Sequence, residues 1–384
     1  MKAAVTTLAV CVAALLALGL VMLYSSSMWM VDKNTHAEIG ARMLRMQVLW
    51  CCLGIVACAV VTVLDYQVLK KFAWPIFIGT LLLAVLVFIP PIGMRLNGAS
   101  RWIRLPGATF QPSEVVKLGL IIMLAWYVDR SQRKMNTFVR GIIYPGAIIG
   151  VALVLIFIEP DRGTTILLAG VTGVMLFLAG AKIWHLVAVG LIGALALAHS
   201  LFHDGMRSGR IKAWLNPEAY ANGIASQATQ AKIAIGSGGL LGVGLGDGRQ
   251  KNGFLSEIHS DFIFANIGEE LGLVATALVV LAFLLIGISG VYIALNARDK
   301  FGSQLAFGVT SLICFQAIIN IAVVTDLFPN KGLALPFISA GGSSLLAMLM
   351  GVGILFSVAR QGVAGKIAAT DFTPNDNPFA AKAK

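Results

Sequence analysis

The chain has 384 residues, of which 58% are hydrophobic and only 12% charged, and its formal net charge is +11. Globular chains carry roughly a quarter charged residues, so this composition excludes an ordinary water-soluble protein and makes lipid the solvent for most of the chain. The basic residues sit in loops between apolar runs and form no continuous basic helix, which excludes nucleic acid as a partner.

Apolar runs near the roughly 20 residues that cross a bilayer cover 4–24, 45–64, 73–90, 113–128, 141–158, 164–181, 184–201, 262–294, 304–325 and 340–358. They predict an all-α membrane protein: a bundle of about ten transmembrane helices with one long extracytoplasmic loop, 202–261. The first run follows Lys2, exceeds the h-region of a signal peptide and lacks an A-x-A cleavage site, so it is read as a retained helix. Lys70, Lys71, Arg130, Arg133, Lys134, Arg140, Lys182, Arg298 and Lys300 fall in one set of loops, with Arg360 and Lys366 at the start of the tail. The positive-inside bias then places both termini in the cytoplasm. Residues 1–366 form the membrane domain, and 367–384, poor in apolar residues, form a disordered cytoplasmic tail. The five cysteines all lie in apolar runs and read as small core residues. Gly146 and Gly150 make a small-xxx-small face, and close helix packing accounts for most of the 41 glycines.

Ionisable residues at membrane depth are costly and mark function by default. The first cluster runs from Asn97 and Gly98 through Arg101 and Trp102 to Gln111, Pro112, Ser113, Glu114 and Lys117. Pro112 and Glu114 read as an ordinary helix start, whereas Lys117 lies a turn inside a span, three residues from Glu114, as half of an ion pair or as a charged cavity wall. The second cluster, Glu159-Pro160-Asp161-Arg162-Gly163, is a hairpin between spans with Asp161 as a secondary candidate. The third joins Glu257, His259, Ser260 and Asp261 to Asn266, Glu269 and Glu270 at the head of a span. Ser260 or Asp261 could cap that helix, and a cap keeps a carboxylate ionised, so capping and catalysis are compatible at Asp261. His259 has no second histidine at ligand spacing. The glycine-dense stretch 236–248 matches neither a dinucleotide fingerprint nor a P-loop.

In this order the clusters resemble one family: the shape, elongation, division and sporulation proteins typified by FtsW and RodA. The match includes Tyr24-Ser25-Ser26, Asn97-Gly98 with Arg101-Trp102-Ile103, Phe110 to Lys117, Glu159-Pro160-Asp161, Arg207 and Arg210 before Leu215-Asn216-Pro217, Gly236 to Gly239, His259 to Phe262, Gly268 to Gly272, and Lys331 to Ser344. Lys331-Gly332-Leu333 with Leu335-Pro336-Phe337 is closer to the FtsW branch. Ser256, Ser260, Ala340, Arg162 and Lys251-Asn252-Gly253 depart from the family pattern.

The resemblance implies a peptidoglycan glycosyltransferase of the bacterial inner membrane that polymerises lipid II on the outer face. Its partner would be a class B penicillin-binding protein transpeptidase, among divisome or elongasome membrane proteins. Asp261 falls on the family's catalytic aspartate, and Arg101, Glu114, Lys117, Asp161, Arg207, Arg210, Glu257, His259, Ser260, Lys331 and Ser343 are the expected substrate contacts. No D-x-D metal signature is present, so arginines and lysines are expected to carry the leaving diphosphate, with Mg²⁺ on Asp261 and Glu257 as the open alternative. The same features would also suit a lipid II flippase lined by Glu114, Lys117 and Asp161, or a non-catalytic scaffold for a septal transpeptidase.

Overall fold

A computed structural model describes all residues except 28–38, 91, 97–98, 106–107, 203–208, 210–211, 213, 216–225, 252–254, 256, 331 and 372–384. A helix covers each of the ten apolar runs: α1 (Lys2–Ser27), α2 (Ile39–Val63), α4 (Ala73–Val85), α5 (Pro112–Ser131), α6 (Tyr144–Ile158), α7 (Arg162–Leu178), α8 (Ile183–Phe202), α10 (Ile263–Leu295), α11 (Lys300–Val324) and α12 (Gly342–Asp371). Seven of these are long and apolar enough to cross a membrane, α6 together with the π-helical turn Val139–Ile143 that extends it to 20 residues, and α4 and α7 are shorter apolar helices. The remaining one, α5, has the length but carries Glu114, Lys117, Asp129 and Arg130. Two further helices, α3 (Tyr66–Lys71) and α9 (Ser226–Gly238), lie in connections. The chain is a multi-pass membrane protein.

Within such a bundle a side chain must be paired or face lipid, and the helices divide accordingly. In α5 nearly every residue from Pro112 to Val128 is buried, charged ones included. Its neighbours α11 and α12 are also mostly buried, whereas the spanning part of α8 buries none of its residues. α11 packs against α5, α7, α10 and α12, and is the centre of the bundle. Asp161 caps α7 by accepting from Thr164 N at 3.1 Å, and Asp299 caps α11 by accepting from Gly302 N at 2.8 Å.

Three features differ from the sequence expectation. A three-stranded antiparallel sheet precedes α5, in the order β1 (Gly93–Leu96), β2 (Ala99–Leu105), β3 (Ala108–Phe110). Strands this short show no clear alternation in sequence. The sheet's period of two sends Arg101 and Ile103 to one face and Trp102 to the other. Gly146 and Gly150 are not at a close helix contact, because a Cβ at either would meet nothing within 4 Å. Close approaches fall elsewhere, among them Gly353, whose Cβ would meet the backbone of Cys58 in α2, and Gly272, which interrupts α10 at φ 76° and would press a Cβ onto the backbone of Leu240 and Gly242. Only glycine tolerates both demands. Finally, α12 continues as a helix to Asp371, into the start of the segment 367–384 expected as a disordered tail.

Candidate functional site

The turn that precedes α10 is built from Glu257, Ile258, His259, Ser260 and Asp261. Helix α10 begins at Ile263 and its cap position falls on Phe262, rather than on Ser260 or Asp261. Glu257, at φ 58°, accepts main-chain bonds from Ser260 N at 3.1 Å and Phe262 N at 3.3 Å, closing the turn. Its exposed carboxylate takes the Ser260 hydroxyl at 3.0 Å and stands 4.0 Å from His259 Nε2. Burial pulls the His259 imidazole below its usual pKa, with Glu257 opposing, so the ring is neutral at physiological pH.

A loop between α11 and α12 clamps this turn. Ser339 Oγ donates to Ser260 O at 2.6 Å, and Ala340 N donates to His259 O at 2.9 Å. From α2, Gln47 Nε2 donates to Ser339 O at 3.2 Å and Gln47 Oε1 accepts from Gly341 N at 3.2 Å. Asp261 is half-buried. Its carboxylate faces Gly332, where a Cβ would come within 3.2 Å of Oδ2, and its carbonyl accepts from Asn320 Nδ2 at 2.8 Å.

Beside the turn opens a cavity of about 640 Å³. His259, Ser260 and residues 340–342 form one wall, Trp102 and Thr109 of the sheet a second, and Arg42, Met46, Gln47 and Trp50 of α2 a third. Asp261 lies next to this wall in sequence but is not itself among its lining residues. The cavity thus combines a cation, two tryptophans and methionine side chains, a mixture suited to a ligand with both a charged and an apolar part. Arg42, Gln47 and Trp50 escaped sequence reading because a cation near a span end has the same pattern as a topology marker.

The other expected residues form separate groups. Lys117 Nζ is fully buried, 2.7 Å from Glu114 Oε2, and donates to Gln316 Oε1 at 2.9 Å. Arg101 spends its guanidinium on the hairpin carbonyls, with Nε donating to Glu159 O at 3.1 Å and a second nitrogen to Pro160 O. Asp161 caps α7 and takes Gln111 Nε2 at 3.4 Å, and Gln111 also reaches Ser113 Oγ at 3.0 Å. Beside it, burial pushes the Glu159 carboxyl up to about 8, Asp161 adding to the effect and Arg101 opposing it. Ser343 is buried in the first turn of α12. Arg207, Arg210 and Lys331 lie outside the described residues. Among the described residues no three His, Cys, Asp or Glu side chains gather as a metal site.

Glu269 and Glu270 turn out to anchor the glycine-dense stretch. Glu269 Oε1 accepts from Arg249 N at 2.7 Å, while Glu270 Oε2 accepts from Gly246 N at 3.0 Å and Ser25 Oγ at 2.5 Å. Lys251 Nζ pairs with Glu270 Oε1 at 3.0 Å. The glycines let this backbone lie directly on the first turns of α10.

These features define a class: a helical, multi-pass membrane protein with buried ion pairs and a polar-and-apolar cavity beside one carboxylate-bearing turn. The sequence profile of the family described as "Cell cycle protein", which unites FtsW, RodA and SpoVE, matches residues 6–363, and the chain belongs to this family. It is 42% identical over 348 residues to a protein of Trichlorobacter lovleyi named a probable peptidoglycan glycosyltransferase FtsW, covering 91% of each chain. It is 40% identical to stage V sporulation protein E of Bacillus subtilis, covering 90% of this chain and 94% of that one. Among solved structures it resembles the rod shape determining protein RodA of Thermus thermophilus, with 27% identity, a TM-score of 0.68 and coverage of 92% and 96%. It also resembles a chain, with 25% identity, a TM-score of 0.73 and coverage of 92% and 97%, from a structure described as the structural coordination of polymerization and crosslinking by a peptidoglycan synthase complex.

Proposed function

We propose that the chain is a peptidoglycan glycosyltransferase that polymerises lipid II on the outer face of the bacterial inner membrane. Its relatives named for peptidoglycan glycosyl transfer support the activity, and the FtsW names support a role in cell division. The observation that carries the reading is the cavity walled by His259 and Ser260, one residue from Asp261.

Asp261 acts as the general base. It accepts the proton of the acceptor sugar's 4-hydroxyl as that oxygen bonds to C1 of the donor sugar, and the C1–O bond to the lipid diphosphate breaks with inversion. An ionised carboxylate is a weak base towards an alcohol, so proton transfer comes late, as positive charge builds on the donor sugar. The departing diphosphate carries the electron pair and needs a cation. Arg42, which lines the cavity, supplies one, whereas Arg101 and Lys117 are already engaged with protein groups. The two tryptophans and the methionines offer apolar surface to the lipid end of the substrate. A class B penicillin-binding protein is the partner that would crosslink the product, as the neighbouring peptidoglycan synthase structure suggests.

The test is polymerisation of purified lipid II, read as glycan ladders on a gel, with and without the partner transpeptidase. Asp261→Ala is expected to lower the rate by about 10²- to 10⁴-fold with an unchanged unfolding temperature. Polymerisation at the wild-type rate by that variant removes Asp261 from the chemistry. Lipid scrambling in liposomes that persists in Asp261→Ala without any polymer from the wild type would instead favour a flippase.

A further inference from the structure

Helix α11 is apolar over most of its length, yet it buries three amides, and two of them, Gln316 and Asn320, are each only 1% exposed. Four residues apart, they share one face. A buried amide must find partners or destabilise its helix. Gln316 Oε1 accepts from Lys117 Nζ at 2.9 Å, and its Nε2 donates to Ala334 O at 2.9 Å. Asn320 Nδ2 donates twice, to Leu333 O at 2.6 Å and to Asp261 O at 2.8 Å. Two side chains therefore hold the main chain of Asp261, Leu333 and Ala334 together and join it to the buried Glu114–Lys117 pair.

The loop fixed in this way is the one that faces the carboxylate. Gly332, immediately before Leu333, sits at φ 60°, and a Cβ there would lie 3.2 Å from Asp261 Oδ2. On the other side of the turn Ser339 holds Ser260 O at 2.6 Å. The backbone of Asp261 is thus pinned from two elements, leaving its carboxylate a defined place against the loop. Asn320 Oδ1, meanwhile, is buried with no protein partner. A leucine would pack in an apolar helix without that cost, so what the amide contributes here is the pair of bonds its nitrogen donates.

We propose that Gln316 and Asn320 are positioning residues for the glycosyl transfer, setting Asp261 and the Gly332–Ala334 loop in register. The proposal rests on Asp261 as the base. Displacements of about 1 Å at a reacting group can cost 10²-fold in rate, so the effect belongs to kcat and not to substrate binding.

The experiment is steady-state polymerisation of lipid II by the full-length protein with its transpeptidase partner. Asn320→Asp keeps the shape and abolishes both donated bonds when ionised, and is expected to lower kcat about 10- to 100-fold with KM within twofold of wild type. Wild-type kcat, or a loss through KM alone, overturns the proposal. Asp261→Ala in the same assay separates the two ideas. If it is inactive while Asn320→Asp runs at the wild-type rate, only the positioning role falls; if it is active, the base assignment falls and the positioning role with it. Should Asn320→Asp fail to fold, Gln316→Glu decides, because it keeps the acceptor for Lys117 Nζ and loses only the bond donated to Ala334 O. A kcat loss with KM kept supports the proposal, and wild-type kcat overturns it.

Discussion

Lys251 and Glu270 face each other at 3.0 Å with side chains 2% and 0% exposed, and this pair holds the glycine-dense stretch on the first turns of α10. Removing one member of a buried pair strands the other charge, at a cost of about 3–5 kcal/mol. Glu270→Leu is therefore expected to lower the unfolding temperature in detergent and to open residues 236–251 to protease. Adding Lys251→Met to it should recover part of the loss, because no charge is then left unpaired. An unfolding temperature in Glu270→Leu equal to wild type would show that the glycine stretch is held by main-chain contacts alone.

Arg42 is exposed and lines the cavity, so its contact with a diphosphate would be partly screened by water. Arg42→Ala should raise KM for lipid II roughly three- to fivefold with kcat little changed, and the increase should shrink at high salt. A KM that is unchanged at low ionic strength would place the diphosphate elsewhere.

Glu159 gives the protein a pH dependence of stability. Its carboxyl titrates at about 8 in the folded protein against an ordinary value of 4.5. The folded state thus binds this proton more tightly than the unfolded chain does. Its contribution is fully present below about pH 4.5 and is lost as the pH rises through about 8, a change on the order of 5 kcal/mol. Unfolding temperatures measured between about pH 5 and pH 9 should fall for wild type and stay nearly level for Glu159→Gln. Parallel curves for the two proteins would assign the pH dependence to other groups.

Orientation has an independent check. If both termini lie in the cytoplasm, a phosphatase fused within 202–260 is expected to be active and one fused within 131–138 inactive. The reverse pattern would put the cavity and Asp261 on the cytoplasmic side, away from any extracytoplasmic polymer.

Much of this protein is legible in one dimension. A segment that must cross lipid needs about 20 apolar residues whatever its neighbours are, so the apolar runs could be read directly; each carries a helix, and seven of these helices are long and apolar enough to span. The polar clusters could be read as well, since lipid makes every charge conspicuous. Their partners could not. A helix that is apolar all round has no amphipathic stripe to reveal its inner face, and nothing in the order of residues shows that Lys117 meets Gln316 at 2.9 Å, or that Arg101 is spent on the 159–160 turn. Glu269 and Glu270 looked like companions of Asp261 until the fold laid the glycine backbone across them. Hydropathy marks the segments able to enter the membrane because transfer into lipid is a property of each segment alone. Which charge is spent on the scaffold and which is left for a substrate is decided only when helix faces meet, because pairing depends on distances between residues far apart in the chain.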